Sequence, residues 1–294
     1  MKPITEKHKA RLVAAASDAL ELLVRDGAMS FSTKATLLER WAVFCDHLIE
    51  NTNISVPSAI TRKCVIDFGC GLEGRYSAAY AQNLVSSVNS VMKALTFGKW
   101  DSISPTIDCD LPKRTHVRTE PPSGLNESEF FGAVSSLELN GLSRGAIIAL
   151  ACRSLGLRCK EAALLNYKEA EIEAKQTGYI TVQYGTKGGR ARKVKISSED
   201  EQLAVLVRGS AAQGDHFSLV PAEQSWKEFR DSEIHQTRTA LKKAGIARIH
   251  DLRAGYACIR YKQLTGYEAP ILGGHAPSAV DSDDLPPITK PLTA

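Results

Sequence analysis

The chain of 294 residues is 43% hydrophobic and 24% charged, which is typical of globular proteins and excludes a largely disordered chain. Its formal net charge of +4 permits a nucleic-acid partner without indicating one. Seven scattered cysteines without a C-x-x-C pair argue against a zinc site or a disulfide framework, and the longest apolar run, residues 146–152, is too short to cross a bilayer.

Residues 1–102 are predicted to form a helical domain. The N-terminal stretch mixes acids and bases and lacks the apolar region of a secretory signal, so we expect a soluble, cytoplasmic protein with reduced thiols. An amphipathic helix is predicted over residues 32–50, and another between Ser77 and Gly98. The stretch between these two helices predicts one short helix.

Residues 103–124 are predicted to be a linker that contains the domain boundary. They include four prolines and show little hydrophobic periodicity.

Residues 125–272 are predicted to form a second, α+β domain, so that the chain is mainly α with a small β-hairpin or three-stranded sheet. Helices are expected at residues 129–137, 143–156, from residue 159 onward, and at 225–245. Residues 178–185 and 191–197 alternate like strands around the turn at Gly188-Gly189. A last helix starts near Ile249 and stops at Gly266, and its core residues are expected to be Ala254, Ala257, Cys258 and Tyr261. Residues 273–294 are polar and proline-rich, and we expect them to form an unpacked tail.

Arg158 is the first candidate site residue. Gly156 ends one helix and the next begins two residues later, so the arginine projects from a sharp corner. Glu161 lies on the following turn, where it can orient the guanidinium or cap backbone amides. An ordinary ion pair at a helix start is the alternative interpretation.

Lys187, at the tip of the hairpin, is the second candidate. A basic run without an acid follows it, and we expect its members to bind DNA: Arg190, Arg192, Lys193 and Lys195. Lysines that protect an exposed sheet edge would explain much of this run. They do not explain a lysine on the glycine-rich tip itself, whereas a tip that reaches a DNA groove would.

His250 and Arg253 are the third candidate, because they share one face of the first turn of the last helix. A helix N-terminus is already electropositive, so two further basic groups are unfavourable there unless an anion offsets them. A surface turn that carries two basic residues by chance is the alternative.

Together these residue types suit phosphoryl transfer on DNA without a metal. Two guanidiniums can hold the non-bridging oxygens of one phosphate and stabilise its transition-state charge. A lysine on a hairpin can protonate the departing 5′ oxygen, and a histidine can manage the proton of the attacking group.

The order "GLRxxE", a Lys-tipped hairpin and then "HxLR" resembles the tyrosine recombinase/integrase family, and "HDLRAGYACxRYxQLTG" resembles a subgroup of integrases from bacterial mobile elements. The resemblance implies a helical core-binding domain at residues 1–102 that straddles DNA, and a catalytic domain at residues 125–272. It implies catalytic roles for five residues: Arg158, Lys187, His250, Arg253 and His275. It also implies integration or excision of double-stranded DNA by a nucleoid-associated homotetramer, with no small-molecule cofactor, metal or membrane. Such enzymes cleave one strand with a tyrosine hydroxyl and keep the bond energy in a 3′-phosphotyrosyl link.

The sequence departs from this family pattern after Arg253. The "ILGGH" segment places His275 where the fifth catalytic residue belongs, but no tyrosine follows it, and Tyr267 lies at the end of the histidine–arginine helix. Two hypotheses follow: an integrase whose sequence has lost its C-terminal end or has degenerated, or an inactive DNA-binding relative that occupies or regulates recombination sites. An unrelated helical DNA-binding protein with chance motifs is a third reading.

Overall fold

The computed structural model describes residues 3–115, 117–196 and 199–274. It divides into two compact units, residues 1–117 and 118–294. The described chain is mostly helical with one small antiparallel sheet, as the sequence predicts. In this described part, none of the helices has the length and apolar character needed to cross a bilayer.

Among its described residues, the first unit has four α-helices: α1 (Pro3–Arg25), α2 (Phe31–Asn51), α3 (Arg62–Cys70) and α4 (Ala78–Leu95). The predicted start of α4 is confirmed, because the Ser77 hydroxyl caps it, whereas α2 begins slightly earlier than predicted and is capped by Ser30. Large apolar side chains of these helices, including the fully buried Trp41 and Phe44, form one core.

The predicted linker is packed at its first end. Ile103, Cys109 and Leu111 are almost fully buried in the core of the first unit. The buried Asn89 holds the backbone there, since its side chain accepts a hydrogen bond from the Ile103 N–H (2.9 Å) and donates one to its carbonyl (2.7 Å). Composition alone therefore overstates how much of residues 103–124 is free of packing.

The second unit has eight helices among its described residues: α5 (Glu127–Leu139), α6 (Ser143–Ser154), α7 (Cys159–Leu164), α8 (Tyr167–Thr177), α9 (Glu199–Gln213), α10 (Trp226–Phe229), α11 (His235–Lys243) and α12 (Ile249–Thr265). A single π-helical turn, Arg230–Ile234, joins α10 to α11. Helix α6 is buried along its whole apolar stretch and forms the centre of the core. The hydrophobic pattern of the sequence does not predict α8 or α9 as separate helices.

Strands β1 (Tyr179–Val182) and β2 (Arg192–Lys195) pair antiparallel, with Ile180 opposite Val194. The sheet has two strands in the described chain, so the hairpin alternative is the observed one. Ile180 and Val182 are buried, and Lys193 and Lys195 are exposed, which confirms the predicted alternation on β2.

Helix α12 starts and stops where the sequence predicts, with Gly266 in the left-handed conformation as its cap. Its predicted core face is wrong in part. Ala257 is exposed, and Ala254 and Tyr261 are half-buried, whereas Leu252 and Cys258 are buried. The buried stripe of α12 is therefore rotated from the predicted one, because the helix buries its first turn against the core.

Candidate phosphate-binding site

Arg158 is the N-cap residue of α7. The preceding Gly156 has φ +63°, which only glycine adopts without strain, and this turns the chain sharply between α6 and α7. Glu161, at the third position of α7, accepts a hydrogen bond from the Arg158 backbone N–H (2.7 Å) and another from its Nη1 (2.7 Å). Both predicted roles of Glu161, capping the helix and orienting the arginine, are confirmed.

Glu161 is the centre of a cluster of three guanidiniums. Its carboxylate is fully buried. Arg192 donates to both carboxylate oxygens in a bidentate pair (Nη1 to Oε1 2.7 Å, Nη2 to Oε2 2.8 Å). Arg253 approaches Oε2 at 3.6 Å. Thus the corner before α7, strand β2 and helix α12 each supply one arginine to the same carboxylate.

The charges of this cluster do not balance. Three guanidiniums and one carboxylate leave two positive charges in excess. The arginines hold the pKa of Glu161 at about 2, in spite of burial, which opposes ionisation. Burial and the neighbouring Arg158 and Arg192 lower the pKa of Arg253. The side chains of the three arginines remain 40%, 31% and 29% exposed, for Arg158, Arg192 and Arg253 respectively. They can therefore reach a solvent anion.

Arg253 is fixed from a second direction. Its Nη1 donates to the carbonyl of Gly156 at 2.5 Å, and the ring of Tyr256, one turn further along α12, packs against the same glycine. A Cβ on Gly156 would lie 2.4 Å from the ring. The absence of a side chain there lets α12 approach the corner that carries Arg158.

The root of the hairpin lies against α7. Gly185, after β1, has φ +75°, and a Cβ on it would lie 2.8 Å from the backbone of Lys160. Lys187 begins a short 3-10 turn, Lys187–Gly189, at the tip, as the sequence predicts, but its side chain lies outside the described part of the structure.

The basic residues of the hairpin divide into two groups. Arg190, Lys193 and Lys195 are exposed. Arg192, which is predicted to bind DNA with them, pairs with Glu161 and keeps 31% of its side chain exposed. The alternation of side chains along the strand could have predicted an inward position for Arg192, because it shares its face with Val194 and Ile196, which point inward.

His250 is exposed on the first turn of α12. It lines a groove of about 340 Å³ whose other cationic members are Arg238, Lys242 and Arg248, with His235 beside them. Arg238 also contacts Cys159, the neighbour of Arg158, and counteracts in part the rise that burial causes in the pKa of that thiol. His275 falls outside the described residues.

Comparison with known proteins agrees with this architecture. Residues 138–259 match the family model described as integrase. A lambda integrase dimer bound to a COC′ core site is 14% identical over 90% of this chain and 75% of its own, with a TM-score of 0.56. The Tn1549 transposon integrase in complex with transposon right end DNA is 13% identical over 90% of this chain and 89% of its own, with a TM-score of 0.54. The XerH site-specific recombinase bound to a palindromic difH substrate is 16% identical over 79% of this chain and 68% of its own, with a TM-score of 0.50. No curated protein matches the sequence.

The fold is that of the tyrosine recombinases. Over residues 138–259, the chain is similar to the integrase family. The matched segment contains the hairpin and all four members of the Glu161 cluster.

Proposed function

We propose that the chain carries out site-specific recombination of double-stranded DNA by metal-free phosphoryl transfer. The observation that carries this proposal is the convergence of Arg158, Arg192 and Arg253 on the buried Glu161, with two positive charges in excess. A phosphodiester brought against the exposed edges of these guanidiniums would offset that excess, and bidentate contacts would fix its orientation.

In the proposed reaction, Arg158 and Arg253 bind the two non-bridging oxygens of the scissile phosphate and stabilise the charge that builds on them. Lys187 protonates the departing 5′ oxygen, and His250, with His275, manages the proton of the attacking hydroxyl. A covalent 3′-phosphotyrosyl link would conserve the phosphodiester energy, so that a 5′ hydroxyl of another duplex can reverse the step without ATP. The last tyrosine of the sequence is Tyr267, just after the end of α12.

The exposed Arg190, Lys193 and Lys195 of the hairpin would contact the DNA backbone beside the cleaved phosphate. The first unit would serve as the core-binding domain. We further propose that four copies assemble on bacterial DNA in the nucleoid, as strand exchange between two duplexes requires two cleavages on each.

An inactive DNA-binding relative is the second candidate function. The observation that favours it is the acidic, proline-broken run DSDDLPP, residues 281–287, which stands where the family pattern would place the tyrosine. In that role the arginine cluster would bind a DNA phosphate without cleaving it, and the chain would occupy or regulate recombination sites.

A nicked duplex from the DNA flanking the gene separates the two functions. A covalent adduct with the full chain supports recombination, a mobility shift without an adduct supports the binding role, and no affinity at low salt contradicts both. Arg158→Ala and Arg253→Ala should each remove adduct formation and retain most DNA binding. Arg208→Ala is the matched control, because this arginine pairs with Glu138 at the surface.

A further inference from the structure

Residues 118–125, the strap, run from the start of the second unit to the residue before the N-cap of α5. The strap is tied to α12 through Asp251, which lies in the first turn of that helix and is only 4% exposed. The Asp251 carboxylate accepts hydrogen bonds from Arg118 Nη1 (3.1 Å), Ser123 Oγ (2.8 Å) and the Ser123 N–H (3.3 Å). The Ser123 hydroxyl also accepts from the Ala247 N–H (2.9 Å), just before α12.

The other end of the strap is tied to α6 through Arg153, which is also 4% exposed. Its guanidinium donates to the carbonyls of Gly124 and Leu125, each at 3.0 Å, and lies over the ring of Phe130. Gly124 has φ +78°, and a Cβ on it would lie 2.9 Å from the side chain of Leu252 in α12. The strap therefore contacts both helices closely.

Arg153 and Asp251, which hold the strap, lie close in the chain to Arg158 and Arg253 respectively. Arg153 lies three residues before Gly156, whose carbonyl accepts a hydrogen bond from Arg253, and five residues before Arg158. Asp251 precedes Arg253 by two residues. Since a buried charge that loses its partner is strongly unfavourable, neither side chain can release the strap at low cost.

We propose that the strap sets the spacing between Arg158 and Arg253, with Asp251, Ser123 and Arg153 as positioning residues. The inference rests on the proposed function, because spacing matters only if both arginines hold one phosphate. A tetrahedral phosphate offers its oxygens at fixed separation, so a small displacement of one guanidinium breaks simultaneous binding. Loosening the strap would then weaken phosphate binding while leaving the fold in place.

The test is a titration of the full chain with inorganic phosphate, followed by the NMR signals of the arginine Nε–Hε groups. In the wild type, the Arg158 and Arg253 signals should move with a single dissociation constant. In Ser123→Ala and in Arg118→Gln, phosphate binding should weaken at least threefold, and the signals of Arg158 and Arg253 should give two different dissociation constants. Ser123→Thr keeps the hydroxyl and should restore the wild-type titration.

Arg114→Gln is the matched control, since this residue lies four positions earlier, in the first unit, and bonds Asn83. It should titrate like the wild type. If Ser123→Ala and Arg118→Gln bind phosphate like the wild type, whatever stability they lose, the strap has only a structural role and the inference is wrong. If phosphate moves neither arginine signal in the wild type, the proposed function itself fails, and the strap has no phosphate geometry to set.

Discussion

Glu161→Gln removes one charge from the cluster of three arginines while keeping the shape of the side chain. The carboxylate is fully buried, and its pKa falls from 4.5 to about 2 in the folded protein. At about 1.36 kcal/mol for each pKa unit, the ionised form contributes about 3 kcal/mol to folding at pH 7. We expect Glu161→Gln to lose about this free energy of unfolding, because three guanidiniums then lack their shared counter-charge.

The pH dependence gives the sign of the effect. A carboxylate whose pKa is lowered by folding stabilises the protein fully above its unfolded value, near 4.5, and loses this contribution as the pH falls towards 2. The difference between wild type and variant should therefore shrink to about 1.4 kcal/mol at pH 3. The measurement is a urea titration at each pH, in which a short deuterium pulse reports the unfolded fraction of α6.

Glu171→Gln is the control, because Glu171 forms a surface pair with Lys175 on α8 (2.6 Å). It should cost less than about 0.5 kcal/mol. A loss below about 1 kcal/mol for Glu161→Gln at pH 7, or one that is the same at both pH values, would refute the central role of this carboxylate.

Three further predictions concern the surroundings of the site and the core. Gly156→Ala should destabilise the second unit by more than about 1 kcal/mol in the same urea assay. Gly178 has a similar φ but open space around it, so Gly178→Ala should show the backbone cost alone. Equal losses in the two variants would contradict the close contact between Gly156 and α12. Tyr167→Phe should cost about 1 kcal/mol, because its fully buried hydroxyl donates to a carbonyl of α7 at 2.9 Å, and an unchanged urea midpoint would contradict that bond. In thiol labelling at pH 8, the exposed Cys70 should react before Cys45, whose pKa burial raises to about 12; the reverse order in a time course by mass spectrometry would be incompatible with that burial.

The helices with strong local signals were predictable from the sequence. Ser77 and Gly266 mark the ends of helices that the structure contains. Helix α8 was missed because Tyr167 is the one large buried residue on its inward face. The others, Ala170 and Ala174, are small and stand between charged residues, so the hydrophobic pattern is weak. The position of such a helix is decided by the core it covers, which a local pattern does not contain.

The candidate site was predictable in its residue types but not in its connections. The sequence places Arg158 and Arg253 at helix starts, and the structure brings both to Glu161. The pairing of Arg192 with the same carboxylate spans 31 residues of chain and depends on which face of β2 points inward. Long-range contacts of this kind follow from packing, whereas spacing along the chain reveals only neighbours on one element.

The hairpin is anchored to α7 on both sides of its tip. Before the tip, Gly185 packs against the backbone of α7. After the tip, Arg192 donates two hydrogen bonds to the carboxylate of Glu161 in the same helix. Bending of this arm must therefore occur between these two anchors, in the six intervening residues. Lys187 lies between these anchors, and the helix that holds both of them begins directly after Arg158, the corner proposed to bind phosphate.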